Sequence, residues 1–287
     1  MKYTQYKHLS EDYIKRKISE FLQEDIPTTD ITADLTINDN DIAEAIIQTE
    51  QDIIFVGKDI IAAFFDDSYE VDFFVGDGDF VYKQGIIARV KGNSKYILKV
   101  ERTLLNLIQR LCGIATLTNK YVELAKPYNV AILDTRKTIP GLRLFDKYAV
   151  AAAGGQNHRL DLSSGILIKD NHIANKNLDD VLNYVINNNT KGLPIELEVD
   201  NFEQLDIALK YPIDGLLLDN MTPDKVALAI QIIKSKQIKS VFVEASGGIN
   251  LNNIEGYLTT GIDAISIGAL THSAIAANIH IEFIYTK

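Results

Sequence analysis

The sequence predicts an α/β protein made of a (β/α) barrel and a second domain with a mostly antiparallel sheet. Three observations carry that expectation. Six short apolar runs recur between residues 130 and 272, each ending in polar residues or glycine, with helix-like stretches between most of them. No glycine fingerprint of a nucleotide-binding doubly wound sheet accompanies them. The first third of the chain lacks this beat and mixes strand-like and helical runs with turn signals such as "GDGD" and "KGNSK".

In chain order, "SEDYIKRKISEFLQEDI" sets Tyr13, Ile14, Ile18, Phe21 and Leu22 at helical spacing behind Ser10, a suitable N-cap. "IAEAIIQTE" and "DIIFVG" read as strands, "KDIIAAFFDD" as a helix, and "YEVDFFV", "IIARVKG" and "YILKV" as further strands. A long helix is predicted over 101–125, with Leu104, Leu105, Ile108, Leu111, Ile114, Leu117 and Tyr121 on one face, linking two domains. The first domain is drawn at 1–112, completed by 270–287, and the barrel at 113–269.

The six barrel runs are "VAILDTRK", "GILIKDNH", "PIELEVDN", "GLLLDNMT", "SVFVEASGG" and "AISIGALTH". Helical patterns "NLDDVLNYVINN", "NFEQLDIALK" and "TPDKVALAIQIIKS" lie between them, the last with Thr222 as N-cap and Pro223 at the first helical position. Strand, helix, strand at this spacing means parallel strands with right-handed crossovers. The closing "IHIEFIYTK" reads as a strand returning to the first domain.

At 287 residues and 46% hydrophobic, the chain can bury a core in each domain. A net charge of -10 argues against nucleic acid or an anionic membrane surface as the main partner, since both would repel it. No apolar run approaches the ~18 residues of a membrane span, and the expected location is cytoplasmic. The one cysteine, Cys112, rules out an intramolecular disulfide, and "LIQRLCGIATL" places it on a packed helix face.

Against that acidic background, "AILDTRKTIPGLR" sets Arg136 and Lys137 directly after an apolar strand. In a (β/α) barrel the C-terminal strand ends converge on the active site. Collected there are Asp134, Arg136 and Lys137; Lys169, Asp170, Asn171 and His172; Glu198 and Asp200; Asp219 and Asn220; Glu244, Ser246, Gly247 and Gly248; and Gly268. The segment "AAAGGQNHR" adds His158 and Arg159. Four cations on neighbouring strands point to a ligand with several negative charges: arginine forks suit a dicarboxylate, lysines a phosphate. The bland alternative pairs these cations with Asp134, Asp170 and Asp200.

"EASGGIN", followed by a helix start near Asn250, and "SIGALTH" one strand later offer bare backbone N–H groups on the last two strands, where barrels hold phosphate. Glu198 and Asp219 lie between the cationic side and the phosphate side and suit Mg²⁺ or sugar hydroxyls. His158 and His172 lack zinc spacing and read as neutral hydrogen-bonding or orienting groups first, acid/base groups second.

"VERTLLNLIQRLCGIAT", "DTRKTIPGLRLFDKYAV", "GGQNHR", "LIKDNHI", "ELEVDN", "LLDNM", "ASGGIN" and "ISIGALTH" together resemble the carboxylating nicotinate-nucleotide pyrophosphorylases, or quinolinate phosphoribosyltransferases. The resemblance runs from about residue 24 to 274. It implies conversion of quinolinate and phosphoribosyl pyrophosphate to nicotinate mononucleotide, pyrophosphate and CO2 with Mg²⁺, in de novo NAD synthesis. The implied fold is an incomplete (β/α) barrel joined to a mixed α/β sandwich domain, in a head-to-tail homodimer.

Carried over by position, the resemblance implies that Arg136, Arg159 and Lys169 bind the quinolinate carboxylates, joined by Arg102 of the neighbouring subunit. It gives Lys137, Glu198 and Asp219 the ribosyl pyrophosphate and its metal. Ser246, Gly247, Gly248 and Gly268 take the 5′-phosphate, with His158 and His272 nearby. The sequence departs from the family pattern at Ala151 and Ala153, where an arginine and a glycine are common, and at Pro27 and Thr29, where glycines are common.

Three rivals make distinct demands. Molybdenum-locus relatives typically lack the "KDNH" kept here. A Schiff-base aldolase needs a desolvated Lys169. A non-catalytic phosphometabolite sensor would have lost the acids Glu198 and Asp219.

Overall fold

In the computed structural model, which describes residues 3–236 and 241–284, the chain divides into two units. One comprises 6–119, 144–154 and 273–287, the other 1–5, 120–143 and 155–272. The sequence-drawn boundary after 112 therefore falls inside the first unit. The helix that carries it buries a continuous stripe there, so neither hydrophobicity nor charge changes at that point.

The first unit begins with α1 (Glu11–Asp25), whose Ser10 side chain accepts from Tyr13 N as an N-cap, and α2 (Ile31–Thr36). Then come β1 (Ile42–Thr49), β2 (Ile53–Ile54), α3 (Lys58–Phe64), β3 (Glu70–Phe73), β4 (Phe80–Val81) and β5 (Ile86–Asn93). The helix α4 (Ser94–Ala125) follows and passes from this unit into the other at Lys120. The strand β12 (Ile279–Ile284) does return, pairing antiparallel with β1 in the sheet order β12-β1-β5-β3; β2 pairs with β4. Alternation along β1 buries Ala43, Ala45, Ile47 and Thr49 on one face.

One strand expectation fails. "YILKV" forms the first turns of α4, which starts at Ser94 and not at 101. The side chain of Asn93 accepts from Tyr96 N (2.9 Å) and caps the helix, and Ile97, Val100 and Leu104 fall at helical spacing on its buried face. The β-prone Tyr96, Ile97 and Val100 hid this, since a short, largely apolar run fits strand or helix alike. Cys112 is fully buried in α4; burial pushes its thiol up to about 12, so it is packed and unreactive.

All six predicted barrel runs are strands: β6 (Ala131–Leu133), β7 (Ile166–Ile168), β8 (Ile195–Val199), β9 (Gly215–Asp219), β10 (Phe242–Ser246) and β11 (Ala264–Ser266). They form one parallel sheet in the order β6-β11-β10-β9-β8-β7. Among the described residues no ladder joins β6 to β7, so the barrel is incomplete; Gln156 fills part of the gap with a parallel bridge to Leu133. The connecting helices are α5 (Arg143–Ala152), α6 (Asp170–Ile173), α7 (Leu178–Asn188), α8 (Phe202–Ala208), α9 (Pro223–Ser235), α10 (Ile254–Leu258) and α11 (Ala269–His272). The helix expected near Asn250 begins at Ile254, because residues 251–253 form a turn first. Among the described residues, no helix is long and apolar enough to cross a membrane.

Candidate active site

Strand periodicity selects what faces the barrel interior. On β8, Ile195, Leu197 and Val199 alternate with Glu196 and Glu198, and all five are buried. In register, Glu196 lies beside Leu167 and Glu198 beside Leu217; Asp219 lies beside Ser246 and Glu244 beside Leu217. The interior therefore carries acids on three neighbouring strands. Glu198 lies one pleat beyond Glu196 on β8 and shares the Leu217 register with Glu244. Asp219 lies one pleat beyond that register, nearest the strand ends.

Above them a cavity of about 520 Å³ is lined by Arg136, Lys137, His158, Arg159, Lys169, Glu198, Asp219, Ser246, Gly247 and Gly248, ten of the thirteen predicted site residues. Gly268 and His272 stand just behind Lys137: a Cβ on Gly268 would come within 2.8 Å of Lys137 Cδ and 3.1 Å of His272 Nε2. Arg102 is exposed on α4 in the other unit and does not line the cavity. A larger groove, about 850 Å³, runs beside β7 and α7, but its lining is mostly apolar and the opposed charges lie in the smaller cavity.

The cationic side is under electrostatic tension. Burial and the nearby charge of Arg136 pull Arg159 below the usual arginine value. Arg136 Nε is buried without a hydrogen-bond partner among the described residues, while Arg159 Nη1 donates to Gly165 O (3.0 Å). Two guanidinium groups crowded this way are stabilised by an anion between them. The Asp134 carboxylate accepts from Asn157 Nδ2 (2.7 Å) and His158 N (2.9 Å) and fixes the segment that delivers Arg159. Lys169 and Glu198 form an ion pair. With its side chain 41% exposed and paired, Lys169 is not the desolvated amine a Schiff base requires.

The glycine side of the cavity rests on backbone. Gly247 has φ +95, and a Cβ there would stand 2.2 Å from Asn220 Oδ1, so only glycine fits against the β9 loop. Asn220, itself left-handed at φ 53, donates from Nδ2 to Asp219 Oδ2 (2.6 Å) and from N to Ser246 O (2.9 Å). With α10 and α11 only five and four residues long, any phosphate here would be held by loop N–H groups and Ser246, not by a helix dipole.

His158 is more deeply engaged than the sequence suggests. Its Nε2 lies 3.1 Å from Glu196 Oε2 and 3.5 Å from Glu244 Oε1, and Ser266 Oγ donates to Glu244 (2.9 Å). Burial lowers its pKa, but the two carboxylates outweigh this and raise it to about 9. Burial and the charge of Glu244 in turn raise Glu196. The Arg159 N–H is directed at His158 Nδ1 (2.8 Å), so the ring meets the carboxylates through Nε2 and the extra proton belongs to the trio as a unit. The trio holds one more proton than it would unfolded. Its contribution is present below about 6.5, the free-histidine value, and is lost as pH rises through about 9. Unfolding free energy measured by denaturant titration should fall across that window, and His158→Asn should flatten the slope.

His172 accepts from Lys169 N through Nδ1 (2.9 Å) and lines the other groove, so it orients the backbone at Lys169. Glu196 went unremarked in the sequence. Its signal was the Glu-Leu-Glu alternation, which puts both acids on one strand face.

A six-stranded parallel barrel whose strand ends gather arginines, acids and a glycine loop defines an enzyme acting on polyanionic, phosphorylated substrates. Residues 30–112 match the family described as quinolinate phosphoribosyl transferase, N-terminal domain, and residues 114–282 its C-terminal domain. The chain belongs to this quinolinate phosphoribosyltransferase family. It is 37% identical over 279 residues to a probable nicotinate-nucleotide pyrophosphorylase [carboxylating] of Methanocaldococcus jannaschii, covering 95% of this chain and 98% of that one. A Bacillus subtilis protein of the same description is 37% identical over 280 residues, covering 94% and 93%. The solved nicotinate-nucleotide pyrophosphorylase of Francisella tularensis superposes with a TM-score of 0.91 at 35% identity, covering 99% of this chain and all of that one.

Proposed function

We infer that this chain transfers the phosphoribosyl group of phosphoribosyl pyrophosphate to quinolinate with loss of CO2, giving nicotinate mononucleotide and pyrophosphate for NAD synthesis. The observation that carries the reading is that Arg136, Arg159 and Lys169 line one cavity together with Ser246, Gly247 and Gly248. The arginines suit a dicarboxylate and the glycine loop a phosphate.

Arg136, Arg159 and Lys169 clamp the two carboxylates of quinolinate and turn its ring nitrogen toward the anomeric carbon; His158 lines the same cavity. Ser246, Gly247 and Gly248 hold the 5′-phosphate, with Gly268 and His272 behind Lys137. Glu198 and Asp219 present hard oxygen donors on adjacent strands, the donor type Mg²⁺ takes, and would hold the ion that accompanies the pyrophosphate. Bound there, Mg²⁺ would offset charge on the leaving group.

Lys137 offsets the same charge from the protein side, while Glu198 and Asp219 stabilise positive charge developing on the ribose. The ring nitrogen bonds to the anomeric carbon as the C–O bond to pyrophosphate breaks. With that nitrogen cationic, the adjacent carboxylate leaves as CO2, and the ring carbon keeps the electron pair until it takes a proton. Positioning and electrostatics suffice, so no nucleophilic side chain is required. Arg102, exposed on α4, is assigned to the quinolinate site of a second copy in a homodimer, and the setting is cytoplasmic.

The test is an assay of the purified protein with quinolinate, phosphoribosyl pyrophosphate and Mg²⁺, following nicotinate mononucleotide and CO2 together, with nicotinate as the control acceptor. Both products from quinolinate and none from nicotinate are expected. Turnover of nicotinate at a comparable rate would overturn the two-carboxylate pocket.

A further inference from the structure

The segment Gln156–Arg159, which brings His158 and Arg159 to the cavity, is held from two sides. On the barrel side, Gln156 pairs with β6 and Asp134 takes Asn157 Nδ2 and His158 N. On the other side lies the N-terminal stretch Tyr3–Gln5, which belongs to the barrel unit although it precedes the first unit in the chain. The side chain of Gln5 binds the backbone of Asn157 twice, accepting from its N (2.7 Å) and donating to its O (3.0 Å). The Tyr3 ring packs on the His158 ring, with centroids 4.6 Å apart and planes at 36°.

Tyr3 also touches what holds the two neighbours of that ring. Its hydroxyl donates to Glu196 Oε2 (3.4 Å), the same oxygen that faces His158 Nε2. Burial and the charges of Glu196 and Glu244 push the Tyr3 hydroxyl upward, so it remains a donor. A Cβ on Gly165 would stand 2.8 Å from Tyr3 Cε1, and it is the Gly165 carbonyl that accepts from Arg159 Nη1. The ring therefore occupies a slot between the anchor of the Arg159 guanidinium and the His158 imidazole.

From this geometry we propose that Tyr3–Gln5 is a positioning strap that sets His158 and Arg159 for the dicarboxylate. The strap touches no substrate. Its effect passes through Asn157, His158 and Gly165, and its influence on turnover rests on the quinolinate reading above. A displacement of about 1 Å at a substrate clamp costs roughly a hundredfold at worst, and a loosened clamp less.

The experiment uses the full chain with Tyr3→Ala, Tyr3→Phe and Gln5→Ala. Tyr3→Ala is expected to raise the quinolinate KM about tenfold while the phosphoribosyl pyrophosphate KM stays within about twofold, with Gln5→Ala in the same direction. Tyr3→Phe, which keeps the ring in its slot, should restore near-parent kinetics. In parallel, ¹⁵N NMR of the histidine rings, which needs no substrate, should move the His158 signals in Tyr3→Ala and leave them in Tyr3→Phe. Unchanged His158 signals and an unchanged quinolinate KM in Tyr3→Ala would overturn the strap, as would equal losses for both substrates alongside a lowered melting temperature. If the parent protein neither binds nor turns over quinolinate, the functional reading fails instead, and the ring signals still decide the strap. Should Tyr3→Ala not fold, Gln5→Ala carries the same comparison.

Discussion

Arg136→Ala is expected to abolish measurable turnover and to weaken quinolinate binding by roughly thirtyfold to several thousandfold, the ~2–5 kcal/mol of losing one arm of a buried charge pair. The stability of the fold should not fall with it. Burial and the neighbouring charge of Arg136 hold Arg159 below its usual arginine value, and the Nε of Arg136 is buried without a partner among the described residues. Removing it relieves repulsion and deletes an unsatisfied donor. Calorimetric titration with quinolinate and a thermal melt on the same sample separate the two effects. Arg136→Lys keeps the charge but loses the planar fork, and should fall between the parent and Ala. Near-normal turnover in Arg136→Ala, or a lowered melting point accounting for its loss, would remove the dicarboxylate assignment.

The barrel was legible because parallel strands buried on both faces leave a plain mark: a short apolar run, a polar end, then a helical pattern. All six runs became strands, and the charges at their ends converge because the fold makes strand ends converge. The chemistry at the surface of the cavity could therefore be assembled from position alone. What stayed hidden depends on contacts between segments far apart in sequence. Tyr3 meets His158 across 155 residues, and nothing in "MKYTQYK" marks it as part of a site. The reversal at "YILKV" has a different origin: five residues, four of them apolar, are too few to fix a period, and the Asn93 cap and the stripe continuing through Leu104 decide for helix. At His158 the hidden feature is the pair of carboxylate neighbours, which lie on other strands. The extra proton belongs to the trio, which no single motif encodes.

Glu198→Gln should lower turnover by about two to three orders of magnitude, the usual scale for deleting one preorganised charge-stabilising group. The effect should appear with phosphoribosyl pyrophosphate and Mg²⁺ and not with quinolinate. Glu198 stands on the same interior face as Glu196, 8% exposed, with Lys169 as its ion-pair partner. For both substrates to bind as proposed, that pair must part: Lys169 turns to a quinolinate carboxylate and Glu198 to the metal-bearing substrate. Lys169→Ala should accordingly raise the quinolinate KM, whereas Glu198→Gln should raise the Mg²⁺ concentration needed for half-maximal rate. Adding Asp219→Asn to Glu198→Gln should cost far less than the product of the single losses, because two ligands of one ion fail as a unit. Fully multiplicative losses, or a Glu198→Gln defect that follows quinolinate concentration and ignores Mg²⁺, would mean the acid serves the acceptor and that the metal lies elsewhere. The Lys169–Glu198 pair would then be a fixed part of the quinolinate clamp.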